Sequence, residues 1–111
     1  MKMYLDDVRP IPIGWVGVRT LDEAKKLLVS GVDEASLDHD LGWCEQCSTD
    51  TRVRGYATVI GSCEHIGTGY DLVCWMEETG HWPKQKPRVH SANPVGASRM
   101  RQVIDKHYGH V

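Results

Sequence analysis

The sequence predicts a small α/β fold, with about four mostly parallel strands and helices between them. Three observations predict it. Short apolar runs alternate with helical patterns, which implies parallel pairing through right-handed crossovers. Two of the runs, Met3-Tyr4-Leu5 and Ala35-Ser36-Leu37, end in acids: Asp6-Asp7 and Asp38-His39-Asp40. A third run reaches Val89 and gives way to His90-Ser91-Ala92-Asn93-Pro94 just ahead of a helix. In parallel sheets ligands bind at the carboxyl ends of strands, near the switch in strand order. The three polar ends are therefore expected to meet at one edge and form a site.

The elements follow in order. Residues 1–7 read as a strand buried on both faces. Residues 8–14 hold Pro10, Pro12 and Gly14 and read as a loop. Residues 15–19 form a second strand, weakened by Gly17. Residues 20–30 form a helix, with Thr20 and Glu23 at capping-box spacing and Gly31 just past its end. Leu21, Ala24, Leu27 and Leu28 make its apolar face. Residues 35–38 are a third strand. Residues 43–67 are polar and read as an insert, in which Arg52-Val53-Arg54 and the run from Tyr56 to Ile60 flank Gly55 as a small hairpin. Residues 68–79 form a helix with Leu72, Trp75 and Met76 on one face, stopped by Gly80. A loop with Pro83 leads to a fourth strand over 87–91. Asn93 caps the last helix, with Pro94 at its first position. Ala97, Met100, Ile104 and Tyr108 form its buried stripe.

At 111 residues one domain is the natural expectation. The hydrophobic share of 41% and charged share of 25% are ordinary for a globular protein. A net charge of −2 gives no footprint for general nucleic-acid binding and no polybasic membrane patch. No apolar stretch nears the ~20 residues needed to cross a bilayer. No signal peptide precedes the first strand, so a cytoplasmic location is expected.

Taken together, the landmarks resemble a known family. They are Tyr4-Leu5-Asp6-Asp7-x-Arg9, Arg19-Thr20-x-Asp22-Glu23-Ala24, Leu37-Asp38-His39-Asp40-Leu41-Gly42, Thr68-Gly69-Tyr70-Asp71 and His90-Ser91-x-Asn93-Pro94-x-Gly96. The pattern is similar to the cyclic-phosphate-processing receiver-like domains, reduced relatives of the phosphoacceptor receivers of two-component signalling. It covers nearly the whole chain except 43–67. The resemblance implies a truncated flavodoxin-like, receiver-like sheet. It implies metal-dependent handling of a cyclic phosphate on a nucleotide or RNA end. Asp6 and Asp7 look like the acidic pair that holds a divalent cation in receivers. Asp38 looks like the strand-end phosphoacceptor, and Ser91 like the hydroxyl that contacts the phosphoryl group. Receivers also carry a further strand ending in a lysine; here no lysine follows in that position, which argues against ordinary phosphorelay.

The chemistry of the residues fits such a site. Asp6, Asp7, Asp38 and Asp40 brought together would repel one another unless protonated or neutralised by a cation. Hard carboxylates favour Mg²⁺ or Mn²⁺. The plainer reading makes Asp7 and Asp40 turn or capping residues. Histidine is the side chain suited to proton transfer around neutral pH, so His39 and His90 are expected to take the acid and base roles of cyclic phosphodiester opening; His39 serves equally well by hydrogen-bonding a carboxylate. The helix start after Asn93 offers N–H groups to a phosphate, with Gly96 permitting close approach and Ser91 and Asn93 adding hydrogen bonds. Arg9 is expected to clamp an oxygen, and Arg19 to pair with a surface acid.

Four cysteines are present, and three of them belong to a second signal. Cys44-x-x-Cys47 with Cys63-x-His65 supplies four ligands, the number of a closed structural Zn²⁺ site. Cys74 reads as a buried small hydrophobe. Trp15, Trp75 and Met76 are expected in the core. Trp43 and Trp82 are expected beside the site, where packing competes with stacking on a base. His107 and His110 read as exposed tail residues. Three functions remain open: a divalent-metal-dependent phosphoesterase, a non-enzymatic phosphoacceptor or phospho-ligand module, and a zinc-stabilised interaction protein.

Overall fold

A computed structural model describes residues 1–42 and 65–109. Four strands, β1 (Lys2–Leu5), β2 (Val16–Val18), β3 (Glu34–Leu37) and β4 (Arg88–Val89), form an all-parallel sheet in the order β2-β1-β3-β4. Three helices accompany it: α1 (Leu21–Ser30), α2 (Gly69–Thr79) and α3 (Pro94–Tyr108). This is the receiver-like α/β architecture expected. β1, β2 and β4 are shorter than the expected spans 1–7, 15–19 and 87–91, and β3 runs one residue earlier than the expected 35–38.

Strand register explains the layering. Side chains alternate across a strand, and Met3, Leu5, Ala35 and Leu37 are aligned between β1 and β3 and buried. They join Ala24 and Leu28 of α1, Leu72, Val73 and Met76 of α2, and Met100 and Ile104 of α3 in one core. The opposite parity places Tyr4, Ser36 and Arg88 in register across β1, β3 and β4.

The connection from β1 to β2 departs from the usual form. Parallel neighbours are normally joined by a crossover helix; here the chain passes from Leu5 to Val16 without one, through a turn and a Pro-containing loop. Helix ends follow the local chemistry. Thr20 Oγ1 accepts from the Glu23 amide at 3.2 Å, while the Glu23 carboxylate accepts from the Arg19 amide. Thr68 and Asp71 form a reciprocal capping box at α2. Gly80, at φ +77°, ends that helix in the left-handed conformation. Asn93 caps α3 by accepting from Gly96.

Trp15 and Trp75 are half-buried rather than interior. Trp15 meets Tyr4 edge-on, and Trp75 stacks on His81. Cys74 is likewise half-buried. Trp82 is not at the strand ends: it stacks on His107, centroids 4.3 Å apart, and meets Tyr108 edge-on. Its surface is satisfied by the last turn of α3, so His107 is a packing partner as well as exposed. Among the described residues, no helix is long and apolar enough to cross a membrane.

Candidate active site

Backbone pairing carried one residue past each strand brings the three polar ends together. The Asp6 amide donates to Val18, the Asp38 amide to Leu5, and the His90 amide to Leu37, at 3.1, 3.0 and 2.9 Å. Asp6, Asp38 and His90 are thus consecutive rungs of one ladder. Their ligand-type atoms all lie within 4.8 Å of one another.

Asp6 is fully buried and saturated with donors. Its Oδ1 accepts from the amides of Val8 and Arg9 at 2.9 and 2.8 Å. Its Oδ2 accepts from Arg9 Nη1 at 2.9 Å and faces His90 Nε2 at 3.0 Å. Burial pushes this carboxyl up, but the two amides, the guanidinium and the imidazole outweigh it and hold the pKa at about 2. The Arg9 guanidinium also donates to the His90 carbonyl and stands 3.6 Å from Asp38 Oδ2. Arg9, expected to clamp a ligand oxygen, already spans both buried acids. Arg19 does not seek a surface acid; it donates to the carbonyls of Asp6 and Arg9 and fixes the turn.

Asp38 is only 5% exposed, yet is supplied far less well. Its Oδ1 accepts from the His39 amide at 2.8 Å. Burial pushes its carboxyl up, and the Asp6 charge adds to this. Asp7 is pushed up too, by burial and then by Asp6 and Asp40. Gly42, at φ +86°, leaves room for the Asp7 carboxylate: a Cβ there would lie 2.9 Å from its Oδ2.

The two histidines are each backed onto a carboxylate. His39 is buried, with Nδ1 2.7 Å from Asp40 Oδ1. Asp40 also accepts from Asn93 Nδ2 at 3.2 Å. The ring of His39 lies under the start of α3, where a Cβ on Gly96 would come within 2.5 Å of it. Gly96 is itself buried, so its missing side chain makes room for His39. Its amide is taken by Asn93, and the Asn93 amide by Ser91 Oγ. Two amides at the helix start are therefore taken by the chain's own side chains.

His90 stacks on Tyr4, rings 4.3 Å apart and 9° from parallel. Its Nδ1 faces Ser36 Oγ at 2.6 Å. A carboxylate only accepts, so Nε2 carries a proton toward Asp6; in the neutral ring, Nδ1 then accepts from Ser36. Sequence reasoning missed both Ser36 and Tyr4. The signal was a serine inside an apolar strand, in register with the tyrosine.

The open part of the site is a cleft of about 280 Å³ lined by Asp7, Val8, Arg9, Asp38, Asp40, Gly42 and Ala92. Its floor meets α2, since a Cβ on Gly69 would lie 2.0 Å from the Asp38 carbonyl. The Gly69 amide donates to the His39 carbonyl. Of the expected zinc ligands, Cys44, Cys47 and Cys63 lie outside the described residues, as does Trp43. His65 is described, and it is exposed.

No curated protein and no solved structure matches the chain. One family does, described as cyclic-phosphate processing receiver domain, over residues 1–106. With the ladder of strand ends and the all-parallel sheet, that match places this chain in the cyclic-phosphate processing receiver domain family.

Proposed function

We propose that this protein opens a cyclic phosphate on a nucleotide or RNA end by divalent-cation-assisted hydrolysis. The observation that carries the reading is the convergence of Asp7, Arg9, Asp38 and Asp40 on one cleft at the carboxyl ends of β1 and β3. The donor set suits a hard cation. Four carboxylates crowd the site, and burial with mutual repulsion pushes Asp7 and Asp38 up. Because Asp6 is already saturated, Asp7 and Asp38 are the carboxylates that would hold Mg²⁺ or Mn²⁺, with Asp40 beside them. When bound, the ion supplies charge withdrawal from the phosphoryl oxygens.

The chain's own groups do the rest. Arg9, lining the cleft, neutralises a phosphoryl oxygen. Asp40 stands in the cleft with His39 behind it at 2.7 Å. This pair takes a proton from the attacking water and returns it to the leaving ribose oxygen. Water adds to phosphorus, one P–O(ribose) bond breaks, and a phosphomonoester with a free hydroxyl results. His90 acts through Asp6, which it holds together with Arg9. Ser91 and Asn93 keep the rim in place.

The test is turnover of 2′,3′-cyclic mononucleotides with Mg²⁺ or Mn²⁺ added or chelated. Asp38→Ala and His39→Ala, with the fold checked, are expected to lower kcat by about 10²-fold or more. Cation-independent turnover, or full activity in Asp38→Ala, would overturn the mechanism. Stable phosphorylation of Asp38 by a small phosphodonor would favour a phosphoacceptor instead.

We further propose that Cys44, Cys47, Cys63 and His65 bind a structural Zn²⁺, on the strength of ligand number and spacing. About one zinc per chain is expected by metal analysis of protein purified without chelator, and its absence would remove the site.

A further inference from the structure

We propose that the groove between β4 and α3 carries the single-stranded RNA whose cyclic-phosphate terminus reaches the cleft. This deepens the hydrolase reading and rests on it for the terminus. The polymer follows from chemistry: a 2′,3′-cyclic phosphate needs a 2′-hydroxyl, so a chain bearing one is RNA.

The groove has a volume of about 310 Å³ and lies along the end strand of the sheet. Lys86, Arg88 and Arg101 line it, all three exposed, over a floor that includes Val89 and Ile104. Asp105 is the single acid of the lining, and Lys86 covers it at 2.6 Å. Arg101 is aimed at the strand, donating to the Val89 carbonyl at 3.3 Å.

Both walls of the groove run on in the chain toward the site. Arg88 precedes His90 by two residues. Arg101 lies seven residues, about 10 Å, along α3 from Pro94, and Ala92, just before Pro94, lines the cleft.

The net charge of −2 conceals this surface. Residues 84–111 hold six of the thirteen basic residues and one of the fifteen acidic ones. Three of the six, Lys86, Arg88 and Arg101, line the groove, while Lys84 and Lys106 pair with Asp33 and Glu77 and Arg99 lies over Tyr70; a free mononucleotide has no use for the three in the groove. The lining includes no aromatic residue. Binding is therefore to the phosphate backbone, indifferent to sequence and steeply salt-dependent, rather than to stacked bases.

The experiment measures fluorescence anisotropy of the full chain with a labelled single-stranded oligoribonucleotide ending in a 2′,3′-cyclic phosphate, over a range of salt. Turnover of a 2′,3′-cyclic mononucleotide is measured in parallel. Arg88→Gln with Arg101→Gln is expected to weaken RNA binding about tenfold at moderate salt and to lower the salt slope by about 1.4. Mononucleotide turnover is expected to stay unchanged. Arg88→Gln alone, with a smaller loss in the same direction, covers the case in which the double variant does not fold. Absence of RNA binding at low salt, or RNA binding unchanged in both variants, overturns the groove. So does capture of phosphatidylserine vesicles without RNA binding. RNA binding that follows Arg88, with no turnover of any cyclic phosphate, supports the groove and refutes the reaction reading instead.

Discussion

The carboxyl ends of β1 and β3 each present a buried aspartate, on adjacent strands, and the protein treats the two in opposite ways. Asp6 receives two amides, a guanidinium and an imidazole, and its pKa falls to about 2. Asp38 receives the His39 amide, with Arg9 at 3.6 Å, and its pKa rises. Both are closed to solvent, but Asp38 bears the heavier desolvation and the repulsion of Asp6 with fewer donors to offset them. The difference separates two jobs. A saturated carboxylate organises its neighbours and has nothing left for a ligand. An under-supplied one, facing a cleft, gains most from an incoming cation or phosphoryl group.

The sharpest way to break this comparison is to delete each acid in turn. Asp6→Ala strands Arg9, His90 and two amides, and is expected to cost about 3 kcal/mol in urea unfolding, the lower end for a broken buried pair because Arg9 is partly exposed. Asp38→Ala loses one backbone hydrogen bond and relieves repulsion with Asp6, so its cost should stay within about 1 kcal/mol. Equal costs would erase the distinction.

Acid titration sharpens the same contrast. The folded pKa of Asp6 is depressed from 3.8, so its stabilisation is present above that value and lost as pH falls toward 2. The folded pKa of Asp38 is raised above 3.8, so its penalty is absent in acid, grows as pH rises from 3.8 to the folded value and is constant above it. Relative to wild type, Asp6→Ala should therefore look worst near neutrality. Asp38→Ala should look progressively better from acid upward.

A small effect of similar size belongs to Ser36. Ser36→Ala leaves His90 Nδ1 without its partner and should cost about 1 kcal/mol. It should also shift the His90 ring nitrogen signals in NMR, with Ser36→Thr restoring them. Unchanged signals would show that Tyr4 and Asp6 alone orient the ring.

Much of this was legible in the sequence, and the limits are instructive. Apolar runs ending in acids located the strand ends, because a parallel sheet has only one edge where such residues can gather. Asn93 and Pro94 announced α3, since caps are written locally. What escaped reading was partnership across space. Nothing local says that Arg9 turns back onto Asp6, or that Ser36 lies beside His90 fifty-four residues later. Gly96 looked like a berth for a phosphate, and its neighbour proved to be the His39 ring. Trp82 looked close to the site on chain distance, but its flat face suited His107 better.

The antiparallel bridge between Asp40 and Thr68 has a consequence of its own. It joins the two stems of the long excursion between β3 and α2 just past Asp38, with Gly69 pressed against that residue's carbonyl. Lengthening or trimming the intervening chain would leave the registry of the sheet alone, since the clasp already holds both stems. Such a change would still be rooted within a few residues of Asp38, so diversity can be added beside the chemistry without refolding the scaffold.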